Sequence, residues 1–285
     1  MLLVSLCNVE TSASPSLLLV DPASWAITPL EAAAGVGATG ICRVGDEIFV
    51  ACQTADATVA VLDAGTLRSN GEARLPGAHD AHSIAAWNGG VAIASTGTDE
   101  VLWYRYDGEA FVDRTVLWAH GAARADTVHA NGLTAHGEAL VCCAFGPRPS
   151  ETDLWSESQG GFVYDIVNER TLLGGLAHPH SVAFLDDELM VCESSHRCFR
   201  SAERPLVELD GYTRGVAFLD DERVVIGTSV ARTTSRSGNR LLNPGAEGSD
   251  AGSCALHVAG LDGTVRATVS CADYGREIYD VFRLR

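Results

Sequence analysis

Apolar residues in this chain come in short runs, and the runs come in pairs separated by a tight turn. "HSIAAWNGGVAIAS" (82–95), "NGLTAHGEALVCCA" (131–144) and "HSVAFLDDELMVCE" (180–193) share one layout. Each opens on a polar or imidazole residue, passes a small residue into an apolar stretch, turns, and returns in a second apolar stretch. Short runs joined by Gly, Asn and Asp turns predict antiparallel strands. No stretch carries a helical period of useful length, which argues against an α/β enzyme.

The layout repeats along the whole chain. Its heads are "TGICRV" at Thr39, "HSIAAW" at His82, "NGLTAH" at Asn131, "HSVAFL" at His180, "RGVAFL" at Arg214 and "YDVFRL" at Tyr279. Successive spacings are 43, 49, 49, 34 and 65 residues, and wrapping from Tyr279 to Thr39 adds 45. After five heads a second run follows: "IFVAC", "VAIAS", "LVCCA", "LMVCE" and "VVIGT". A period in the forties with about four short strands per unit predicts an all-β, six-bladed β-propeller. The final unit ends just after its head, and its missing strands stand at the start of the chain as "LLVSLC" (2–7), "SLLLVD" (16–21) and "AITPL" (26–30). The expectation is one domain over 1–285, its ring closed by a C-terminal inner strand pairing with the N-terminal strands, which leaves no long open edge. Ser5, Ala51, Ala94, Cys143, Cys192 and Gly227 hold equivalent, uniformly small positions in the second strands. Cys143 and Cys192 are thereby read as compact packing residues.

Composition narrows the function classes. Apolar residues at 46% and charged residues at 20% of 285 fit a globular chain. With 37 acidic against 20 basic residues the formal charge is −17, which disfavours nucleic acid and anionic membrane surfaces as partners. "MLLVSLCNVE" has no basic leader and reaches Glu10 within one strand length, so neither a signal peptide nor a span is expected there. Nine cysteines without a CxxC spacing point to reduced thiols and a cytoplasmic protein.

In a propeller the start of each inner strand borders the channel at one face, which would gather the six heads around one opening. His79, His82, His129, His178 and His180 are five of nine histidines, and all fall within three residues of that ring. Convergent imidazoles on rigid strands suit a transition metal or an acid–base site. His82, Asn131 and His180 are the candidate metal ligands, with His129 an alternative to Asn131 as the third. A divalent ion such as Zn, Fe or Mn is favoured over Ca, which prefers an all-oxygen shell. Glu193, His129 and His178 are the candidate catalytic groups; His79 and His178 would otherwise orient the ligands. Asp126 and Asp280 are lesser candidates, Asp126 mainly as a loop cap. Two long loops, 145–161 and 230–252, are expected over the same opening. The second brings Arg232, Arg236 and Arg240 near Arg214, which suggests an anionic ligand. Arg214, Tyr279 and Arg232 are the candidate substrate-binding residues. A buried Arg214 needs a partner, for which Glu277, Asp280 or a substrate would serve.

"HANGL" at 129–133 resembles the metal-binding Asn–Gly segment of the six-bladed gluconolactonase, paraoxonase and strictosidine-synthase-like superfamily. More closely, "DAHSI", "VHANGL", "HPHS", "YTRGVAF" and "GREIYDV" resemble a bacterial six-bladed propeller family of unknown function. The resemblance implies the fold and places Asn131 at a metal-ligand position. His82 and His180 stand where the lactonase-like enzymes carry other residues, so a softer ion than calcium is implied. The leading expectation is a metal-dependent enzyme acting on a small anionic metabolite by hydrolysis, isomerisation, elimination or cyclisation. A metal-free acid–base enzyme and a non-catalytic binding propeller are the alternatives. Oligomeric state is open.

Overall fold

In a computed structural model, all residues are described except 12, 34, 55, 122–124, 149–154, 156, 157, 159, 233–251 and 285. Six four-stranded antiparallel sheets follow one another around a channel. Blade 6 is split across the termini: β1 (Leu2–Leu6), β2 (Leu17–Val20) and β3 (Ile27–Leu30) are its outer strands. Blade 1 holds β4 (Ala38–Val44), β5 (Glu47–Cys52), β6 (Asp56–Asp63) and β7 (Ser69–His79). Blade 2 holds β8 (Ala81–Trp87), β9 (Gly90–Ser95), β10 (Glu100–Tyr106) and β11 (Phe111–Ala119). Blade 3 holds β12 (Ala130–His136), β13 (Ala139–Ala144), β14 (Gly161–Asp165) and β15 (Arg170–Leu176). Blade 4 holds β16 (Pro179–Leu185), β17 (Glu188–Glu193), β18 (Cys198–Ser201) and β19 (Pro205–Glu208). Blade 5 holds β20 (Tyr212–Phe218), β21 (Arg223–Ser229), β22 (Ala255–Gly260) and β23 (Val265–Ser270), and β24 (Ile278–Arg283) returns to blade 6.

The ring closes as its repeat requires. β24 lies antiparallel to β1, with Val4 opposite Val281 and Ser5 opposite Asp280. Helical structure among the described residues is limited to short 3-10 turns such as Thr96–Thr98 and Ser194–His196. No described helix is long and apolar enough to cross a membrane.

Apolar alternation along each strand fills the seams between blades. Phe49 and Val59 of blade 1 pack with Ile93, Tyr104 and Phe111 of blade 2, all nearly inaccessible. Each such side chain contributes roughly 1.5–3 kcal/mol on leaving water. Nearer the axis, a hydroxyl or thiol crosses all six junctions. Ser5 Oγ donates to Thr39 O (2.5 Å), Thr39 Oγ1 to Ala81 O (2.9 Å) and Thr96 Oγ1 to Ala130 O. Cys143 Sγ donates to Pro179 O (3.3 Å), Ser194 Oγ to Thr213 O (2.6 Å) and Ser229 Oγ to Ile278 O (2.9 Å). A net value of about 1 kcal/mol each is the usual scale for such bonds. Cys143 and Cys192 are fully buried, and burial pushes both thiols well above their ordinary range, which fits the packing role. The strands also approach closely: a Cβ on Gly40 would meet Ser83 Cα at 2.7 Å, so only glycine fits there.

Candidate functional site

Every inner strand carries a β-bulge at its head. Pairing skips His82 between Ala81 and Ser83, Asn131 between Ala130 and Gly132, and Tyr279 between Ile278 and Asp280. In β4, β16 and β20 the extra residue falls between Ala38 and Ile41, between His180 and Ala183, and between Arg214 and Val216. A bulge inserts one residue, increases the local twist and re-aims a side chain. It takes Thr39, His82, Asn131 and Tyr279 out of the regular ladder, while His180 and Arg214 stay paired just before their bulges.

A second tier stands two residues before the heads: Asp80, His129, His178, Tyr212 and Glu277. Asp80, His129 and His178 adopt left-handed backbone angles, with φ of 52°, 54° and 53°. This conformation costs a non-glycine residue energy and is held only where the surroundings impose it. It turns the chain so that residues of both tiers pack together. His82 and His129 are in ring contact, with centroids 5.0 Å apart and the rings nearly perpendicular. Tyr279 lies 5.8 Å from His82 and 6.3 Å from His180, and so stands against both imidazoles. Phe145 stacks on His178 at 4.5 Å and also touches His129 and His180.

The hydrogen bonds fix the imidazole tautomers. His82 Nδ1 faces Asp80 O at 3.0 Å and His129 Nδ1 faces the Asp126 carboxylate at 3.1 Å. His180 Nδ1 lies 3.2 Å from His178 O and 2.8 Å from Ser194 Oγ, whose own proton goes to Thr213 O. All these partners accept, so each of the three rings carries a proton on Nδ1. None of their Nε2 atoms has a hydrogen-bond partner among the described residues. His178 is different. Its Nε2 must donate to Trp155 O (2.7 Å), which leaves Nδ1 to accept from the Tyr212 hydroxyl (2.9 Å). Both nitrogens are committed, so His178 positions its neighbours. Burial holds His82 below the ordinary histidine range, His180 well below it, and His178 down to about 4. Arg214 adds to the depression at His180. These rings are neutral near pH 7.

Beside them lies a buried cation. Arg214 is 6% exposed, with its guanidinium over the rings of Tyr212 (4.8 Å) and Tyr279 (5.4 Å). Its partner is Glu277: Nη1 reaches Oε2 at 3.3 Å, and Arg232 Nε and Asn8 Nδ2 donate to the same oxygen at 3.0 Å. Arg214 Nε is inaccessible and has no partner among the described residues. Below the ring, His180, Asn131, Tyr279, Ser83, Ser181 and Asp280 line a cavity of about 50 Å³. Asp280 spans the blade 6–1 junction by accepting Ile41 N at 2.9 Å, and burial pushes its carboxyl up to about 6 against the effect of that bond.

The structure thus brings His82, His129, Asn131, His178, His180, Arg214, Arg232 and Tyr279 to one mouth. Asn131 is already engaged: its Oδ1 lies 3.4 Å from Cys143 Sγ and its Nδ2 donates to His129 O (3.4 Å). Glu193 is held elsewhere. Its carboxylate accepts Ala177 N (2.9 Å) and pairs with Arg200 (2.9 Å) and His196 (3.1 Å), so it braces blade 4. His79 is exposed at the end of β7 and makes no ring contact with the other imidazoles. Arg236 and Arg240 lie outside the described residues, as do most of 230–252 and much of 145–161; Phe145 and Trp155 of the latter reach His129. Tyr212, Asp126 and Phe145 complete the mouth. Reading the position two before each head would have found Tyr212.

Among the described residues, no group of three His, Cys, Asp or Glu is arranged to hold a metal ion. His82 and His129 remain a two-imidazole pair.

Known structures share the architecture. A chain of the nidogen/laminin complex superposes with a TM-score of 0.65 at 12% identity, covering 98% of this chain and 96% of that one. A Bacteroides caccae protein of unknown function gives 0.64 at 13%, covering 98% and 97%. Luciferin-regenerating enzyme gives 0.59 at 11%, covering 82% and 76%. At these identities the likeness shows the propeller fold alone. No curated protein matches the sequence. Residues 75–285, from the end of blade 1 through the closing strand, match the domain of unknown function DUF4915, and the chain belongs to that family.

Proposed function

We propose that the histidine-lined mouth is an enzyme site for a small anionic metabolite, in which His129 transfers protons and Arg214 holds the anionic group. The observation that carries this reading is the packing of His82 on His129 and of His180 against Tyr279, their Nδ1 atoms all bonded, beside a buried guanidinium. With Nδ1 on Asp126, His129 is placed to act as general base through Nε2, and Asp126 stabilises the imidazolium formed when it takes a proton. The His129 imidazolium then returns that proton to the product or leaving group, with His82 packed against its ring. Glu277 takes Nη1 of Arg214 in the free protein, and a carboxylate or phosphate would meet the guanidinium at Nη2. Hydrolysis, isomerisation, elimination and cyclisation all fit such a proton-transfer step. Luciferin-regenerating enzyme has the same fold and is an enzyme by name, and the "HANGL" likeness to lactonase-like propellers points the same way.

A second reading adds a divalent transition metal on His82 and His129 with Asn131 or His180. It is favoured by the Nδ1 partners of the three histidines, since a ligating imidazole gives its other nitrogen to a carbonyl, carboxylate or hydroxyl. Three ligating groups are not assembled in the present arrangement, so no step is routed through an ion. Metal content of tag-free protein separates the readings: a stoichiometric ion lost in His82→Ala supports the second, and none after reconstitution supports the first.

The anion claim is tested by titrating wild type and Arg214→Lys with a panel of small dicarboxylates and phosphate esters. Lysine keeps the charge but loses the fork. At least one panel member should bind wild type and bind the variant about tenfold or more weakly, a difference of ~1.4 kcal/mol. Equal affinity would reduce Arg214 to the ion-pair partner of Glu277.

A further inference from the structure

The far ends of the same inner strands build a second cavity that the ring chemistry does not use. Phe184 in "HSVAFL", Phe218 in "RGVAFL" and Phe282 in "YDVFRL" lie three or four residues beyond their heads. At about 3.3 Å per residue they stand roughly 10–13 Å along the strands from the histidine mouth. All three are only partly buried, and together they line a cavity of about 760 Å³ at the other end of the channel. Three incompletely covered phenylalanines on consecutive blades leave apolar surface that a ligand would remove from water.

The rim is cationic. Arg43 Nε donates to Gly45 O (2.8 Å), and Arg283 Nη1 donates to Phe218 O (3.0 Å) and Leu219 O (2.6 Å). Carbonyls hold both guanidiniums in place, and neither has a carboxylate within ion-pair range among the described residues. Of the acidic residues lining the cavity, Asp220 is committed to Arg223 at 2.6 Å, which leaves Asp221. Two arginines held by carbonyls and without an ion-pair partner among the described residues stand over the aromatic floor.

We propose that this cavity is a second ligand site, which takes a small aromatic carboxylate with its ring on the phenylalanines and its carboxylate on the arginine rim. The volume falls in the range of roughly 300–1,000 Å³ typical of small-molecule sites. The guanidinium fork matches a carboxylate in two parallel hydrogen bonds, whereas an ammonium group would be repelled.

The test is calorimetric titration with 1-naphthylacetate and with 1-naphthylmethylamine, which share the ring and differ in charge. The acid should bind one per chain and the amine at least about tenfold more weakly. Phe218→Ala and Arg283→Gln should each weaken the acid by a similar factor, while His129→Asn, at the opposite mouth, should leave it unchanged. The charge comparison uses wild-type protein alone, so it decides even if Phe218→Ala fails to fold. No binding of the acid at millimolar concentration, equal binding of the amine, indifference to both substitutions, or loss of binding in His129→Asn would each overturn the proposal.

Discussion

Deleting residues 278–285 abolishes the cooperative melting transition. The segment contains β24, whose Ile278, Tyr279 and Val281 are 0%, 6% and 3% exposed. Losing their burial removes roughly 5–9 kcal/mol at 1.5–3 kcal/mol per side chain. The ladder to β1 goes with it, as do the bonds Asp280 Oδ2–Ile41 N, Ser229 Oγ–Ile278 O and Ser5 Oγ–Asp280 N. The first two join blade 6 to blades 1 and 5 and the third lies within blade 6, so the ring opens and the flanks of β20 and β4 meet water. Total domain stability is about 5–15 kcal/mol, so the loss is of the order of the whole. Calorimetry or far-ultraviolet dichroism on heating reads the outcome. A truncated chain that melts at the wild-type temperature would contradict closure through β24.

Stability falls as pH drops from about 6.5 toward 4. Burial depresses His178 to about 4 in the folded chain from an ordinary value of 6.5. Between these values the unfolded chain binds a proton that the folded chain does not, so stability rises with pH across the window. Above pH 6.5 the contribution is complete, and it is lost as pH falls through the window to about 4. The shift is worth about 3 kcal/mol for His178 alone, at 1.36 kcal/mol per pH unit. His180 and His82, also depressed by burial, act in the same direction, while Asp280, raised to about 6, opposes them below that pH. Denaturant unfolding at a series of pH values measures the slope. His178→Gln keeps a donor and an acceptor for Trp155 O and the Tyr212 hydroxyl but cannot titrate, so it should flatten part of the acid limb. An acid limb identical in wild type and His178→Gln would show that His178 is not held neutral.

Blade number and closure were legible because each blade must bury its faces against its neighbours, which writes the same turn-separated pairs into every repeat. The head residues followed, since a strand start has a fixed place in a propeller. Which way a side chain turns is less legible, because strand neighbours point to opposite faces and one residue decides the side. Glu193 shows this: it ends β17 at the expected place, yet its carboxylate is taken by Ala177 N and by Arg200 on β18. Nothing in "VCESS" announces an arginine on the adjacent strand. The bulges at the heads were invisible for a related reason, since a one-residue excess in the pairing appears only once the partner strand is placed. Glu277 as the partner of Arg214 was within reach of sequence reasoning, because a buried guanidinium demands a carboxylate. Tyr212, Phe145 and Trp155 were overlooked because attention rested on titratable residues rather than on the rings that bury them.

The most direct test of the mouth as an enzyme site is to incubate a cell metabolite extract with wild-type protein and with His129→Asn, and to follow every anionic species by mass spectrometry. Asparagine removes the proton-accepting nitrogen while leaving a group that can still bond Asp126. The account predicts that wild type consumes at least one small anion, and that the folded variant does so at least about a hundredfold more slowly, the usual scale for losing a general base. Identical consumption by both proteins, or none by either with metal supplied, would contradict it.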